Sequence, residues 1–169
     1  GELRSVPKAD FGPDEGELPV QQYLCEEMPV SAPQFLIGAK VRPAPGGSES
    51  LRQQLVSMLA MRLLASSSSP FYTRLYSDGL LHRDFDYEVD FASGTGTLIL
   101  GGESRQPERV LEELKTEVAR ISAEGFDEQR FERAKRASFG ARLRGSEDFD
   151  FLCVTLATAA FEGYDAFSA

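Results

Sequence analysis

Residues 67–91 read SSSPFYTRLYSDGLLHRDFDYEVDF, and this stretch joins a short helical segment to a strongly alternating one. Within it, acids occupy every second position of residues 84–91. The positions between them carry Phe85, Tyr87, Val89 and Phe91. Because successive side chains of a strand point to opposite faces, this alternation predicts a strand with one apolar face and one solvated face. The acids are spread along a flat surface instead of surrounding an ion, which favours a solvated face over a calcium site.

The sequence before this strand carries the signals of two helices. Leucines recur at every fourth position over Leu51–Leu63, which is typical of a helix packed on a sheet. Either Ser48 or Ser50 is predicted to cap that helix. The serine run 66–69 is predicted to end it and to cap a second, short helix with Pro70 at its first position.

The remaining elements are predicted from β-forming residues, turn residues and caps. They are strands over residues 20–25, 35–41 and 97–100, a hairpin loop at 93–96, and helices that begin at Pro107, after Asp127 and at Ser146. The resulting order is ββαββαα with a terminal helix. This order predicts an α+β fold, a two-layer sandwich in which helices pack on one face of an antiparallel sheet.

Composition limits the class of protein. The chain has 169 residues, a net charge of −9 and 41% hydrophobic residues, so a single α+β domain is predicted over residues 20–169. The Pro- and Gly-rich residues 1–19 are predicted to form a linker or domain-entry segment. Interspersed acids argue against nucleic acid as a partner, and no apolar run is long enough to span a membrane. Because the sequence lacks an initiator methionine, we expect a piece of a longer protein.

Few residues in the sequence suit catalysis or metal binding. His82 is the single histidine, whereas a catalytic zinc needs about three protein ligands, and neither H-E-x-x-H nor H-x-x-E-H occurs. We therefore predict no catalytic residue and no metal ligand in this chain, with His82 a solvated turn residue. Cys25 and Cys153 lie far apart in segments that look half-buried, which predicts free thiols and a cytoplasmic location.

Three segments of the sequence have a characteristic arrangement. The serine run 66–69 is followed by Thr73-Arg74-Leu75-Tyr76, and then by Arg83 and Tyr87, four residues apart at the start of a strand. Residues 125–135 read GFDEQRFERAK. This arrangement resembles the metal-free second half of insulinase/pitrilysin zinc peptidases. That half has a Gly/Ser-rich break, then a Ser-Arg-Leu-Phe-like segment, and then an Arg and a Tyr at the same spacing. A Gly-Val-Thr-Glu-Glu-Glu-Leu-Glu-Arg-Ala-Lys run follows later and is similar to residues 125–135. The resemblance covers residues 18–165, most of the chain.

The resemblance implies a role in substrate binding. In this family the zinc is held by H-x-x-E-H in the first half, and the second half closes over the peptide. It implies that Arg83 and Tyr87 contact the substrate backbone near the scissile carbonyl. Zinc is then expected in the N-terminal half of the same protein or in a partner chain, and not in this segment. A guanidinium and a tyrosine hydroxyl are good donors to a carbonyl oxygen that gains negative charge.

Two features of the sequence leave alternatives open. The family has Gly-Leu-Ala between the Arg and the Tyr, whereas this chain has Asp84-Phe85-Asp86, whose acids are able to neutralise Arg83. Tyr87 shares its face with apolar residues, so it is either a cleft residue or a core residue. The alternative function is therefore a catalytically inactive homologue that acts as a peptide-binding or assembly scaffold. An unrelated α+β binding domain is a third possibility.

Overall fold

A computed structural model describes residue 16, residues 18–91 and residues 95–167. Most of the predicted linker 1–19 lies outside these residues, as do Ser93 and Gly94 of the predicted hairpin loop. The described elements follow the order βααββααα. They are β1 (Gln34–Val41), α1 (Gly47–Ala65), α2 (Pro70–Ser77), β2 (Asp86–Asp90), β3 (Gly96–Glu103), α3 (Pro107–Glu124), α4 (Glu128–Gly145) and α5 (Phe149–Glu162).

The three strands form an antiparallel sheet in the order β1-β3-β2. β3 pairs with β1 from Gln34 opposite Glu103 to Val41 opposite Gly96, and with β2 from Asp86 opposite Gly101 to Asp90 opposite Thr97. The predicted alternation is confirmed, because Phe85 is buried and Tyr87 and Val89 pack against the core, while the acids between them are exposed. The sheet therefore has one face covered by helices and one face open to solvent.

Gly102 lets two aromatic side chains meet across the central strand. It lies opposite Phe35 on β1, and the Phe85 side chain passes beside it, with Phe85 Cα 3.1 Å from the position a Cβ would take. The Phe35 and Phe85 rings lie 6.4 Å apart between centroids. Because Gly102 has no side chain, the Phe35 and Phe85 rings are able to approach each other beside it, at the end of β3 near the start of β2.

The core lies between the sheet and helices α1, α2 and α3. The largest apolar side chains that are less than 2% exposed are Phe71, Leu75, Leu81 and Val110. Phe71 and Leu75 come from α2, which therefore is anchored by its own buried face although it is only eight residues long. The predicted two-layer α+β sandwich, with helices on one face of an antiparallel sheet, is confirmed.

Local signals located most of the helix boundaries correctly. Ser69 accepts a hydrogen bond from the Tyr72 N–H at 3.0 Å, with Pro70 as the first helical residue, and Asp127 accepts one from the Arg130 N–H at 2.8 Å. The predicted capping of α1 by Ser48 or Ser50 is wrong. The helix begins at Gly47, before both serines, after Gly46 with a φ of 115°, and no side chain caps it.

The predicted start of α5 and the first predicted strand are also wrong. α5 begins at Phe149, because Asp148 accepts a hydrogen bond from the Phe151 N–H at 2.9 Å, whereas Ser146 ends α4. Residues 20–25 form no strand and lie exposed. These β-forming residues do not join the sheet, whose described strands are β1, β3 and β2.

Both cysteines are free thiols, as predicted, but they are exposed and not half-buried. Cys153 lies on α5, whose described residues bury only Ala159. Large apolar side chains on this helix, such as Phe149 at 77% exposed and Phe161 at 91% exposed, face outward. Most of the apolar side chains of α5 therefore do not pack into the domain core.

Candidate substrate-binding site

A tightly held connection between α2 and β2 positions the candidate site. The N–H groups of Leu80 and Leu81 both donate to the Leu75 carbonyl, at 2.8 and 3.3 Å, and both leucine side chains are buried. Gly79 supplies the positive φ of 70° that turns the chain out of the helix. Because these contacts fix the connection to the core, the residues that follow enter β2 from a defined point.

Arg83 lies exposed on the turn before β2, next to two tyrosines of α2. A hydrogen bond with the Tyr76 hydroxyl, aided by the electrostatic effects of Tyr76 and Tyr72, raises the pKa of Arg83 above its ordinary value. The Tyr72 and Tyr76 rings stack with centroids 5.6 Å apart, and Tyr72 stacks on Phe85 at 5.9 Å. The guanidinium therefore lies beside an ordered aromatic row and remains fully charged.

The two acids that depart from the family pattern do not form ion pairs with Arg83. Within the described part of the chain, no carboxylate oxygen lies within 4.0 Å of its guanidinium nitrogens. The Asp86 carboxylate instead accepts a hydrogen bond from the Tyr87 N–H at 2.8 Å. Neutralisation by Asp84 or Asp86, the alternative left open by the sequence, is thus not seen, and the guanidinium keeps donors available.

Tyr87 lies half-buried on the face of β2 that packs against the helices. Burial raises the pKa of its hydroxyl, the positive charge of Arg62 on α1 lowers it, and Asp86 raises it, with a net rise above the ordinary value. The residue pairs with Leu100 across the sheet and packs against the core cluster. Its hydroxyl therefore stays protonated at neutral pH, as a hydrogen-bond donor needs to be.

Arg83 and Tyr87 lie on either side of the buried Phe85, and each has its own set of neighbours. Arg83 lies beside the end of α2. Tyr87 belongs to β2 and lies on the face that packs against the helices, near Arg62 of α1. The sequence did not reveal the parts played by Tyr72, Tyr76 and Arg62. The spacing of four between the tyrosines was a usable signal, since such residues share one helix face. Nothing in the sequence indicated that Arg62 comes close to Tyr87.

The described residues do not fit a metal ion. Among them, no group of three or more His, Cys, Asp and Glu side chains is placed to hold one. His82 is exposed in the turn, as predicted, and its backbone carbonyl accepts a hydrogen bond from the Tyr72 hydroxyl at 3.5 Å. Any zinc chemistry of the parent protein thus needs ligands from outside this part of the chain. In the same residues, no helix combines the length and apolar character needed to cross a membrane.

Residues 3–138 match the family described as the peptidase M16 inactive domain. The chain belongs to this family. It is 25% identical over 136 residues to the uncharacterized zinc protease YmfH of Bacillus subtilis strain 168, a match that spans 80% of this chain and 32% of that protein. The resemblance to the metal-free half of the insulinase/pitrilysin peptidases is therefore confirmed.

A solved structure supports the same assignment. The chain matches the crystal structure of a protein described as an M16-like peptidase from Alicyclobacillus acidocaldarius, with a TM-score of 0.69 and 28% sequence identity. The match covers 73% of this chain and 29% of the other. This M16 inactive domain thus spans about a third of the length of each relative.

Proposed function

We propose that this M16 inactive domain is the substrate-binding, metal-free C-terminal domain of a zinc-dependent peptidase. In this proposal it closes over a peptide that the zinc-bearing half holds, and Arg83 and Tyr87 donate hydrogen bonds to the peptide backbone. The observation that carries the proposal is the state of Arg83. Its guanidinium is exposed, lies beside the tyrosines of α2, and makes no ion pair with a described carboxylate.

The partner in this proposal is the zinc-bearing half, either in the same protein or in a separate chain. Two observations support it: the chain spans 32% of the relative named as a zinc protease, and α5 exposes large apolar side chains. The described cysteines are free, which fits a reducing compartment, so we place the protein in the cytoplasm. We likewise propose residues 20–169 as one domain that follows an entry segment.

The substitution Tyr87→Phe in the zinc-bearing assembly tests the role of Tyr87. Loss of a hydrogen bond to developing charge costs about 1.5–3 kcal/mol, so turnover should fall by roughly ten- to hundredfold. The ring and its packing are kept, so the unfolding midpoint should change little. Tyr164→Phe is the matched control, since this tyrosine lies beyond α5 and also has a pKa raised by burial. Equal turnover in the two variants would exclude the proposed role of Tyr87.

A second candidate function is a non-catalytic peptide-binding or assembly scaffold. The half-buried packing of Tyr87 against the core favours it, because a core tyrosine has a structural reason to be there. Zinc content separates the two functions. About one zinc per parent chain, with none in this 169-residue segment as the control, supports the peptidase. No zinc in either protein supports the scaffold.

A further inference from the structure

A cavity of about 280 Å³ lies between the end of α1, the serine run 66–69 and α4. Three arginines line it, Arg62 from α1 and Arg130 and Arg133 from α4. The rest of the described lining consists of serine residues and small or apolar side chains, and includes no carboxylate. The cavity is therefore strongly positive in a chain whose net charge is −9.

The three arginines lack the partners that other cations of the domain have. Arg74, Arg120, Lys115 and Lys135 each pair with a glutamate within 4.0 Å. In the described structure no such pair involves Arg62, Arg130 or Arg133. Three like charges around one small space repel one another, and an anion between them removes that repulsion.

Hydrogen bonds to neutral groups hold two of these arginines in place. Arg130 donates to the Ser68 carbonyl at 2.8 Å, and Arg62 donates to the Ser138 hydroxyl at 3.4 Å. A guanidinium has five N–H donors in a planar fork, so each keeps donors for a bidentate contact with a carboxylate. The hydroxyls of Ser66 and Ser68, 3.2 Å apart, lie at the same wall and add further donors.

We propose that this cavity binds a carboxylate group of the peptide, supplied by an acidic side chain or by the C-terminus. That the ligand is a peptide follows from the proposed function. That the cavity binds an anion follows from the three arginines alone. The volume is slightly below the 300–1,000 Å³ of typical small-molecule pockets, which is more than enough for one acidic side chain. Arg62 connects the cavity to the candidate site, since its charge also acts on the Tyr87 hydroxyl. The domain would thus select peptides with an acidic group near the scissile bond.

NMR titration of the 169-residue chain tests the inference without any catalytic step. The probes are a short end-blocked glycine/alanine peptide with one central glutamate, its glutamine analogue, the all-glycine/alanine peptide with a free C-terminus, and inorganic phosphate. The variant is Arg130→Gln with Arg133→Gln. The control is Arg136→Gln with Arg144→Gln, which makes the same charge change on α4 at exposed arginines that do not line the cavity.

We expect the glutamate or free C-terminal peptide to bind at least about tenfold more tightly than the glutamine analogue, because charge-assisted hydrogen bonds are lost in the latter. The cavity variant should lose this preference and the control should keep it, while both retain the native spectrum elsewhere. Equal losses in the two variants would show a general charge effect and overturn the inference. Binding of phosphate without binding of either acidic peptide would overturn the peptide carboxylate as ligand. Failure of the proposed function appears separately, as unchanged turnover of Tyr87→Phe.

Discussion

The substitution Leu75→Ala should destabilise the domain strongly, because Leu75 joins α2 to the core. Its side chain is 0% exposed, and its carbonyl accepts the N–H groups of Leu80 and Leu81. The change removes three buried carbons, which is about 2.4 kcal/mol at roughly 0.8 kcal/mol per carbon. An unfilled cavity adds up to about 2 kcal/mol, so the expected loss is about 2.5–4.5 kcal/mol.

Urea unfolding followed by circular dichroism measures this loss. We expect the slope of the free energy of unfolding against urea concentration to stay unchanged. For a domain of this size the thermal midpoint should fall by roughly 5–15 °C. Leu36→Ala is the control, since Leu36 is 79% exposed on the open face of the sheet and should change the free energy of unfolding little. A loss below about 1 kcal/mol for Leu75→Ala, or one equal to that of Leu36→Ala, would refute the packing argument.

Two further substitutions test the fold. Gly102→Val places carbon atoms against Phe85, just before β2, and should cost about 1–3 kcal/mol in chemical unfolding. Gly38→Val, with nothing within 4 Å of its Cβ, should cost clearly less. Glu117, only 5% exposed, pairs with Arg120 at 2.7 Å and with Arg74 at 3.8 Å. Replacing both arginines by glutamine should lower the free energy of unfolding by about 2 kcal/mol, because it leaves a buried carboxylate unpaired. Glu117→Gln should lower it less. A lower urea midpoint for Glu117→Gln than for the double arginine variant would contradict this reasoning.

The sequence predicted those parts of the fold that short-range chemistry determines. The alternation around Phe85 required a strand with two unlike faces, and Ser69 with Pro70 required a helix start, since both signals act within a few residues. Pro107 likewise begins α3 where predicted, and α3 ends at Glu124, before Gly125. Such signals need no knowledge of the rest of the chain.

The wrong starts of α1 and α5 are errors in local signals, whereas the other failures come from interactions between distant parts of the chain. Residues 20–25 have strand-forming side chains, but a strand also needs a partner strand, and the sequence does not say which segments pair. The candidate site shows the same limit. Arg83 and Tyr87 were predicted from the family resemblance of a short segment, whereas the approach of Arg62 to Tyr87 depends on how α1 crosses β2. Only the folded chain brings the arginines of α1 and α4 to one cavity.

The two predicted substrate-binding residues are held in different ways, and the difference fits a closing domain. Tyr87 is fixed by the ladder to β3 and by the helix layer, so its hydroxyl has little freedom. Arg83 extends from an exposed turn and rests on tyrosines of α2, so its long side chain adjusts at little cost. In the proposed function, a rigid donor would set the position of a peptide carbonyl, and an adjustable cation would follow the charge that develops on it. The buried Leu75 face of α2 therefore also belongs to this arrangement, because it positions the tyrosines beside which Arg83 lies.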